Sequence, residues 1–97
     1  MGIEITGWGK CIPPVALTNK DLESFLDTND EWITSRTGVK ERRISHVGLT
    51  DLATVAAKKA LASANKSSED IDAVIMATCT PEYIIPSTAS RIQEKIG

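Results

Sequence analysis

The sequence predicts an α/β fold, and three features of its pattern support that prediction. Five consecutive apolar residues at 73–77 are typical of a strand covered on both faces, as in a parallel sheet. Alanine recurs at helical spacing between residues 50 and 65, and a further helix is indicated from Ser87 to Gly97. Helices and strands therefore alternate along the chain, which is the pattern of the α/β class.

The first part of the chain is predicted to hold a strand and a short helix. Residues 3–8 alternate in polarity, which favours a strand, and the pair Pro13 and Pro14 forces an extended loop after it. Either Thr18 or Asn19 can cap a short helix, and Thr18 and Asp21 have the spacing of a capping box. Its apolar face would carry Leu22, Phe25 and Leu26.

A second short helix and an edge strand are predicted next. Thr28 and Glu31 again have capping-box spacing, so Thr28 is expected to cap this helix, and Gly38 is placed to end it in the left-handed conformation. Residues 39–44 are dense in charge, which predicts an exposed edge strand or hairpin arm.

The longest helix is predicted from a cap at Thr50 to about Asn65. Its alanines form a stripe of small side chains, which allows another backbone to approach closely, so the helix is expected to be well buried. The stripe consists of Ala53, Ala56, Ala57, Ala60 and Ala64.

Composition limits the classes of function. The 97 residues suffice for one small domain, and the net charge of −2 gives no reason to expect nucleic acid or an anionic membrane as the main partner. There is no apolar run of bilayer-spanning length and no secretory leader, so a cytoplasmic location is expected. Cys11, Cys79 and His46 are too few and too far apart for a metal site, and reduced thiols are expected in the cytosol, although sequence leaves a disulfide open.

Several motifs resemble one enzyme family when their order and spacing are taken together. They are Gly7-x-Gly9-x-x-x-Pro13, the run 27–33 continuing through 36–43, the segment 73–81 and Pro86–Ala89. They resemble the β-ketoacyl-(acyl carrier protein) synthase III family, the initiating ketosynthases of bacterial fatty-acid synthesis. The resemblance implies a thiolase-like fold with α/β/α/β/α layers, of which residues 1–97 would form the N-terminal portion of the first half, incomplete and without a second domain.

The resemblance also implies an activity and its partners. Such enzymes condense a coenzyme A thioester with malonyl-(acyl carrier protein), act as homodimers and need no cofactor beyond these substrates. Their catalytic cysteine, histidine and asparagine match no position in this chain, so no catalytic residue is expected here and the isolated segment should be inactive. The alternatives are a related condensing enzyme, such as a secondary-metabolite ketosynthase or a hydroxymethylglutaryl-coenzyme A synthase, and a non-catalytic fragment that self-associates.

Four residues are candidates for binding. Trp32 and Arg36 share a helix face and could stack a base and hold a phosphate, while the alternative is a half-buried Trp covered by a cation. The resemblance matches them, with Thr28, to contacts of coenzyme A, although Thr28 could equally be a plain helix cap. It matches Ile85 to a position at the dimer interface and acyl pocket, whereas ordinary loop packing is the alternative.

The remaining reactive or charged residues are assigned structural roles. Cys79 follows a predicted buried strand, where α/β sheets place their sites, but a small buried thiol explains it better. Cys11 has no supporting partner, and His46 is expected at the surface. The basic cluster of Lys40, Arg42 and Arg43 is expected to be a solvated face.

Overall fold

The computed structural model describes residues 2–97, which form two compact units. The smaller unit comprises Ile12–His46, and the larger unit comprises residues 2–11 with Val47–Gly97. Each unit has its own buried residues. They are Asn19 and Ile33 in the smaller unit, and Thr50, Thr54, Thr88 and Ile92 in the larger unit.

The smaller unit is built on a two-stranded antiparallel ladder. Strand β1, Val15–Thr18, pairs with β2, Glu41–Ile44, so that Val15 lies opposite Ile44. The predicted edge strand or hairpin arm is therefore confirmed within 39–44, and its partner is a strand that the sequence analysis did not identify.

Helix α1, Asn19–Glu23, follows β1 directly through the predicted capping box. The Asp21 amide donates to the Thr18 hydroxyl at 3.2 Å, and the Thr18 amide donates to the Asp21 carboxylate at 2.9 Å. The bond from the Thr18 amide, and after it an interaction with the Thr18 side chain, favour the ionised carboxylate and lower the pKa of Asp21. The helix ends before Phe25 and Leu26, which are both exposed, so the predicted three-residue apolar face is not formed within it.

Helix α2, Asp30–Thr37, is capped by Asn29 and not by Thr28. The Trp32 amide donates to Asn29 Oδ1 at 2.7 Å, so the prediction of Thr28 as the helix cap is wrong by one residue. Both side chains can cap, and Asn29 is the one at the N-cap, with an extended backbone (φ −147°, ψ 164°). The predicted stop is confirmed, because Gly38 has φ 73° and its amide donates to the Thr34 carbonyl at 2.8 Å.

The larger unit contains helices α3, Leu49–Ala64, and α4, Thr88–Ile96, with a short 3-10 turn at Ser68–Asp70. The predicted end of the long helix is confirmed by Asn65, which lies in the left-handed region with φ 56°. Ser87 caps α4 by accepting from the Ser90 amide at 3.2 Å, as the predicted start near Ser87 requires. The predicted cap at Thr50 is wrong by two residues, because the N-cap of α3 is Gly48 and the helix begins at Leu49.

The alanine stripe of α3 does admit another backbone. A Cβ atom added to Gly7 would lie 2.6 Å from the Ala60 carbonyl oxygen, and one added to Gly9 would clash with the Ala56 carbonyl oxygen. The close approach is therefore confirmed. The expected deep burial is not confirmed, because the buried residues of α3 are Thr50 and Thr54, while the alanines of the stripe are half-buried.

Neither of the two main predicted strands forms a ladder within residues 2–97. Residues 3–8 and 71–77 are not assigned to a sheet, and Ile3 and Ile75 are 101% and 93% exposed. Along 73–77 exposure alternates, with Val74 and Met76 half-buried between exposed neighbours. This segment is covered on one face and not on both, because no described strand lies beside it to carry a second layer.

Candidate functional site

A cleft of about 600 Å³ opens in the smaller unit between α1, α2 and β2. Apolar side chains form most of its walls, and the loop before α2 supplies polar groups at its edge. The lining residues are Leu22, Leu26, Asp27, Thr28, Asn29, Trp32, Ile33 and Arg42. An apolar cleft with a few placed polar groups is the usual form of a small-molecule site.

Asn19 holds the elements around this cleft together. Its side chain is 1% exposed, and its amide nitrogen donates to Asp30 Oδ1 at 2.8 Å and to the Val39 carbonyl at 2.8 Å. The same nitrogen donates to Thr34 Oγ1 at 3.3 Å. The side-chain oxygen of Asn19, Oδ1, accepts from Arg42 Nη2 at 3.0 Å. One side chain therefore ties α1 to both α2 and β2, and fixes the cleft walls relative to one another.

Trp32 and Arg36 lie next to each other on α2, as their spacing predicted. The Arg36 guanidinium carbon lies 5.6 Å from the centroid of the Trp32 ring, which is cation–π distance. Trp32 is 54% exposed, and its indole lines the cleft. The pair thus packs as a half-buried tryptophan beside a cation, which was the alternative to a binding role. About half of the tryptophan surface nevertheless remains available to a ligand.

The Thr28 hydroxyl is an unusual polar group at the cleft. Its oxygen is buried, and within residues 2–97 it has no hydrogen-bond partner. A buried hydroxyl without a partner is costly in free energy, so such a group in a native structure calls for an explanation. A ligand atom that bonds to it in the cleft would supply one.

Arg42 is a cleft residue that the sequence analysis missed. It is half-buried and lines the cleft, where its guanidinium also donates to Asn19 Oδ1, so it does not belong to a solvated face. Lys40 and Arg43 are exposed as predicted. The period-two alternation of strand β2 would have separated Arg42 from Glu41 and Arg43, and it was the available signal.

Ile85 lies in the larger unit, in the loop that precedes α4. Its side chain is 85% exposed and that of Ile84 is 91% exposed, so packing into a core does not explain Ile85. The Ile85–Pro86 peptide bond is cis. A cavity of about 290 Å³ lies beside this loop, and its lining includes Met76, Tyr83 and Ile84.

The same loop is fixed to the rest of the larger unit by Glu82. Its carboxylate accepts from the Thr50 amide at the start of α3 and from Arg91 Nη1 of α4 at 2.7 Å. These two bonds, the Thr50 amide first, lower the pKa of Glu82 from 4.5 to about 2. The Glu82 bond in turn raises the pKa of Arg91.

The lowered pKa of Glu82 predicts a pH dependence of stability. Because the folded-state pKa is below the unfolded value, its contribution is fully present above pH 4.5 and is lost as the pH falls towards about 2. We expect the stability difference between wild type and Glu82→Gln to shrink over that range in denaturant unfolding. Glu94→Gln on α4 is the control, and a difference that does not vary with pH would contradict the assignment.

The other candidate residues are not gathered into a site. Cys11 and Cys79 are free thiols, Cys79 is exposed where a buried thiol was expected, and His46 is exposed as predicted. Among residues 2–97 no cluster of His, Cys, Asp or Glu is suited to a metal ion. In the same part of the chain, no helix has the length and apolar character needed to cross a bilayer.

No family model matches the chain. The β-ketoacyl-(acyl carrier protein) synthase III 2 of Vibrio cholerae is 62% identical over 94 residues, which are 97% of this chain and 26% of that protein. The chain matches a segment of the synthase III proteins along its whole length.

Solved structures agree with the sequence match. The synthase III of Aquifex aeolicus superposes with a TM-score of 0.87 at 51% identity, covering 98% of this chain and 31% of that one. The priming β-ketosynthase of a polyketide biosynthetic pathway superposes with a TM-score of 0.84 at 28% identity, covering 97% of this chain and 29% of that one. The predicted α/β, thiolase-like fold class is confirmed, as a partial fold. The chain spans about a quarter to a third of the curated synthase III proteins it matches.

Proposed function

We propose that the chain is the N-terminal segment of a β-ketoacyl-(acyl carrier protein) synthase III, an acyltransferase of fatty-acid biosynthesis. The complete enzyme would condense acyl-coenzyme A with malonyl-(acyl carrier protein). The observation that carries the proposal is the 62% identity to a protein of that name along 97% of the chain. A cytoplasmic location and the assignment of residues 1–97 to the first thiolase-like half are parts of the same proposal.

Within that enzyme, this segment would bind substrate and not perform the chemistry. The exposed Trp32 indole offers a stacking surface for the adenine of coenzyme A, and the adjacent Arg36 offers a cation for its phosphates. The unpartnered Thr28 hydroxyl can bond to a ring nitrogen or amino group of the base. The cysteine nucleophile and the groups that assist decarboxylation would come from the remainder of the protein.

Ile85 would act at the acyl pocket and dimer interface. An 85% exposed isoleucine next to a 91% exposed Ile84 leaves apolar surface that association with a second subunit would bury. Homodimer formation is therefore part of the proposal, and sedimentation of the 97-residue chain should show self-association. A clean monomer at high concentration would count against this surface as an interface.

A polyketide-type ketosynthase is the second candidate, because one such enzyme superposes well on the chain. Its 28% identity, against 51% for the Aquifex aeolicus synthase III, favours the first candidate. The deciding experiment is a condensation assay on the polypeptide that continues this reading frame, with malonyl carried on the acyl carrier protein of fatty-acid synthesis. Turnover with that carrier supports the first candidate, and turnover only with a polyketide carrier protein supports the second.

The binding assignment makes a direct prediction for that longer polypeptide. Trp32→Ala should weaken coenzyme A binding on the order of tenfold, because stacking a base on an aromatic side chain contributes about 1–3 kcal/mol. Isothermal titration calorimetry measures the change. The matched control is Trp8→Ala, since Trp8 is a 69% exposed tryptophan of the larger unit and does not line the cleft. Equal affinity of the Trp32 variant and wild type would rule the assignment out.

A further inference from the structure

The start of α3 lacks a capping side chain of its own. Its N-cap is Gly48, and the amide of Thr50, the second helical residue, has no partner within the helix. The Glu82 carboxylate, 32 residues further along the chain, accepts a hydrogen bond from that amide. A carboxylate also suits this position because the N-terminus of a helix carries partial positive charge.

The second Glu82 oxygen extends the contact to α4. Arg91 Nη1 donates to Glu82 Oε2 at 2.7 Å and to Thr50 Oγ1 at 3.2 Å, so one guanidinium joins both partners. Its guanidinium carbon also lies 4.8 Å from the Tyr83 ring centroid. Glu82 and Tyr83 are therefore both held in place, and each side chain of the Glu82–Arg91 pair is about three-quarters buried.

Gly48 fits this arrangement. A Cβ atom added there would lie 2.6 Å from Glu82 Oε1 and 2.8 Å from its carboxyl carbon. The missing side chain at the N-cap thus leaves the space that the carboxylate occupies. The contact is a close fit between two distant segments of the larger unit.

Ile85 stands between two fixed points as a result. Glu82 and Tyr83 are anchored just before it, and Ser87, the cap of α4, is anchored just after it. The Ile85 side chain is 85% exposed, so little packing of its own fixes it and its position depends on these anchors.

We infer that Glu82 is a positioning residue: by joining the loop of residues 80–87 to α3 and α4, it sets where Ile85 projects, and thereby which acyl chains the pocket accepts. The acyl-selection part of this inference rests on the proposed function. The positioning part concerns the larger unit alone and is tested independently.

The positioning part is tested by NMR on the 97-residue chain. Glu82→Ala should accelerate hydrogen exchange at the Thr50 amide on the order of tenfold, because a bond to a charged acceptor is lost. It should also shift the Ile85 δ-methyl resonance, while Glu94→Ala should change neither signal. The inference is overturned if, in Glu82→Ala, the exchange rate of the Thr50 amide and the chemical shift of the Ile85 δ-methyl group equal those of wild type.

Glu82→Gln keeps the test decisive if the alanine variant fails to fold. Glutamine retains an acceptor oxygen for the Thr50 amide but loses the charge that holds Arg91. The Ile85 methyl resonance should therefore still shift while the Thr50 amide stays protected. An unchanged Ile85 methyl in this variant would overturn the inference.

The acyl-selection part is tested on the longer polypeptide by steady-state kinetics with short and long acyl-coenzyme A. Glu82→Gln should change the ratio of kcat/KM between the two chain lengths at least threefold, and Glu94→Gln should leave the ratio unchanged. A uniform loss for all chain lengths means a merely structural role and contradicts the inference. A wild-type protein without condensing activity contradicts the proposed function instead, and the NMR result on positioning stands by itself.

Discussion

Replacing Asn19 by alanine is expected to destabilise the smaller unit by about 2–4 kcal/mol, since buried hydrogen-bonding partners lose their bonds. The substitution would leave the Val39 carbonyl and the Arg42 guanidinium without the partners they have at 2.8 and 3.0 Å. Because Asn19 is 1% exposed, these partners remain shielded from bulk water when its amide group is removed.

Urea unfolding in a Trp8→Phe background measures this effect, because Trp32 is then the single tryptophan and lies in the smaller unit. Asn29→Ala serves as the comparison within the same unit, since loss of a helix cap costs about 1 kcal/mol. Asn19→Asp should also destabilise, because it removes the donor and places a carboxylate beside Asp30. If Asn19→Ala costs no more than Asn29→Ala, Asn19 does not hold the unit together.

Local signals in the sequence predicted local structure well. The capping box of Thr18 and Asp21, the left-handed stop at Gly38 and the helix start near Ser87 all depend on residues within a few positions of one another. Where two adjacent residues can both cap, the same signals fail, as with Thr28 and Asn29. Trp32 and Arg36 were brought together by helical spacing alone.

Contacts between distant segments could not be predicted in the same way. The hydrogen bonds of Asn19 reach residues 30 to 42, and that from Thr50 to Glu82 crosses 32 positions. Their partners are set by tertiary packing, which no local spacing encodes. Thr50 was predicted to be the cap of α3. Its amide instead donates to the side chain of Glu82, which is distant in sequence.

The predictions of strands at 3–8 and 71–77 failed for a related reason. The apolar run at 73–77 has the composition of a buried strand, but a strand is defined by its neighbours and none of the described residues pairs with it. The curated relatives are three to four times as long as this chain, as their coverage of about 26–31% indicates. Under the proposed function, the remainder of the enzyme would supply the missing neighbours and cover Ile75.

Gly9→Ala is expected to destabilise the larger unit by roughly 1–3 kcal/mol, as overpacking of a close contact does. The added methyl group would meet the Ala56 carbonyl oxygen and would lie 2.6 Å from the Ala60 nitrogen, both in the backbone of α3. Backbone atoms inside a hydrogen-bonded helix cannot move aside as a flexible side chain can. The segment 2–11 must therefore shift away from the alanine stripe.

The matched control is Gly2→Ala, because a Cβ atom at Gly2 meets nothing within 4 Å. That variant should be neutral or slightly stabilising, since alanine restricts the unfolded chain more than glycine does. Urea unfolding followed by Trp8 fluorescence in a Trp32→Phe background reports on the larger unit. Equal stability of the Gly9 and Gly2 variants would mean that residue 9 is not tightly packed against the backbone of α3. A selective loss would give the Gly7-x-Gly9 motif a physical cause, which is the close packing of a backbone against the small side chains of a helix.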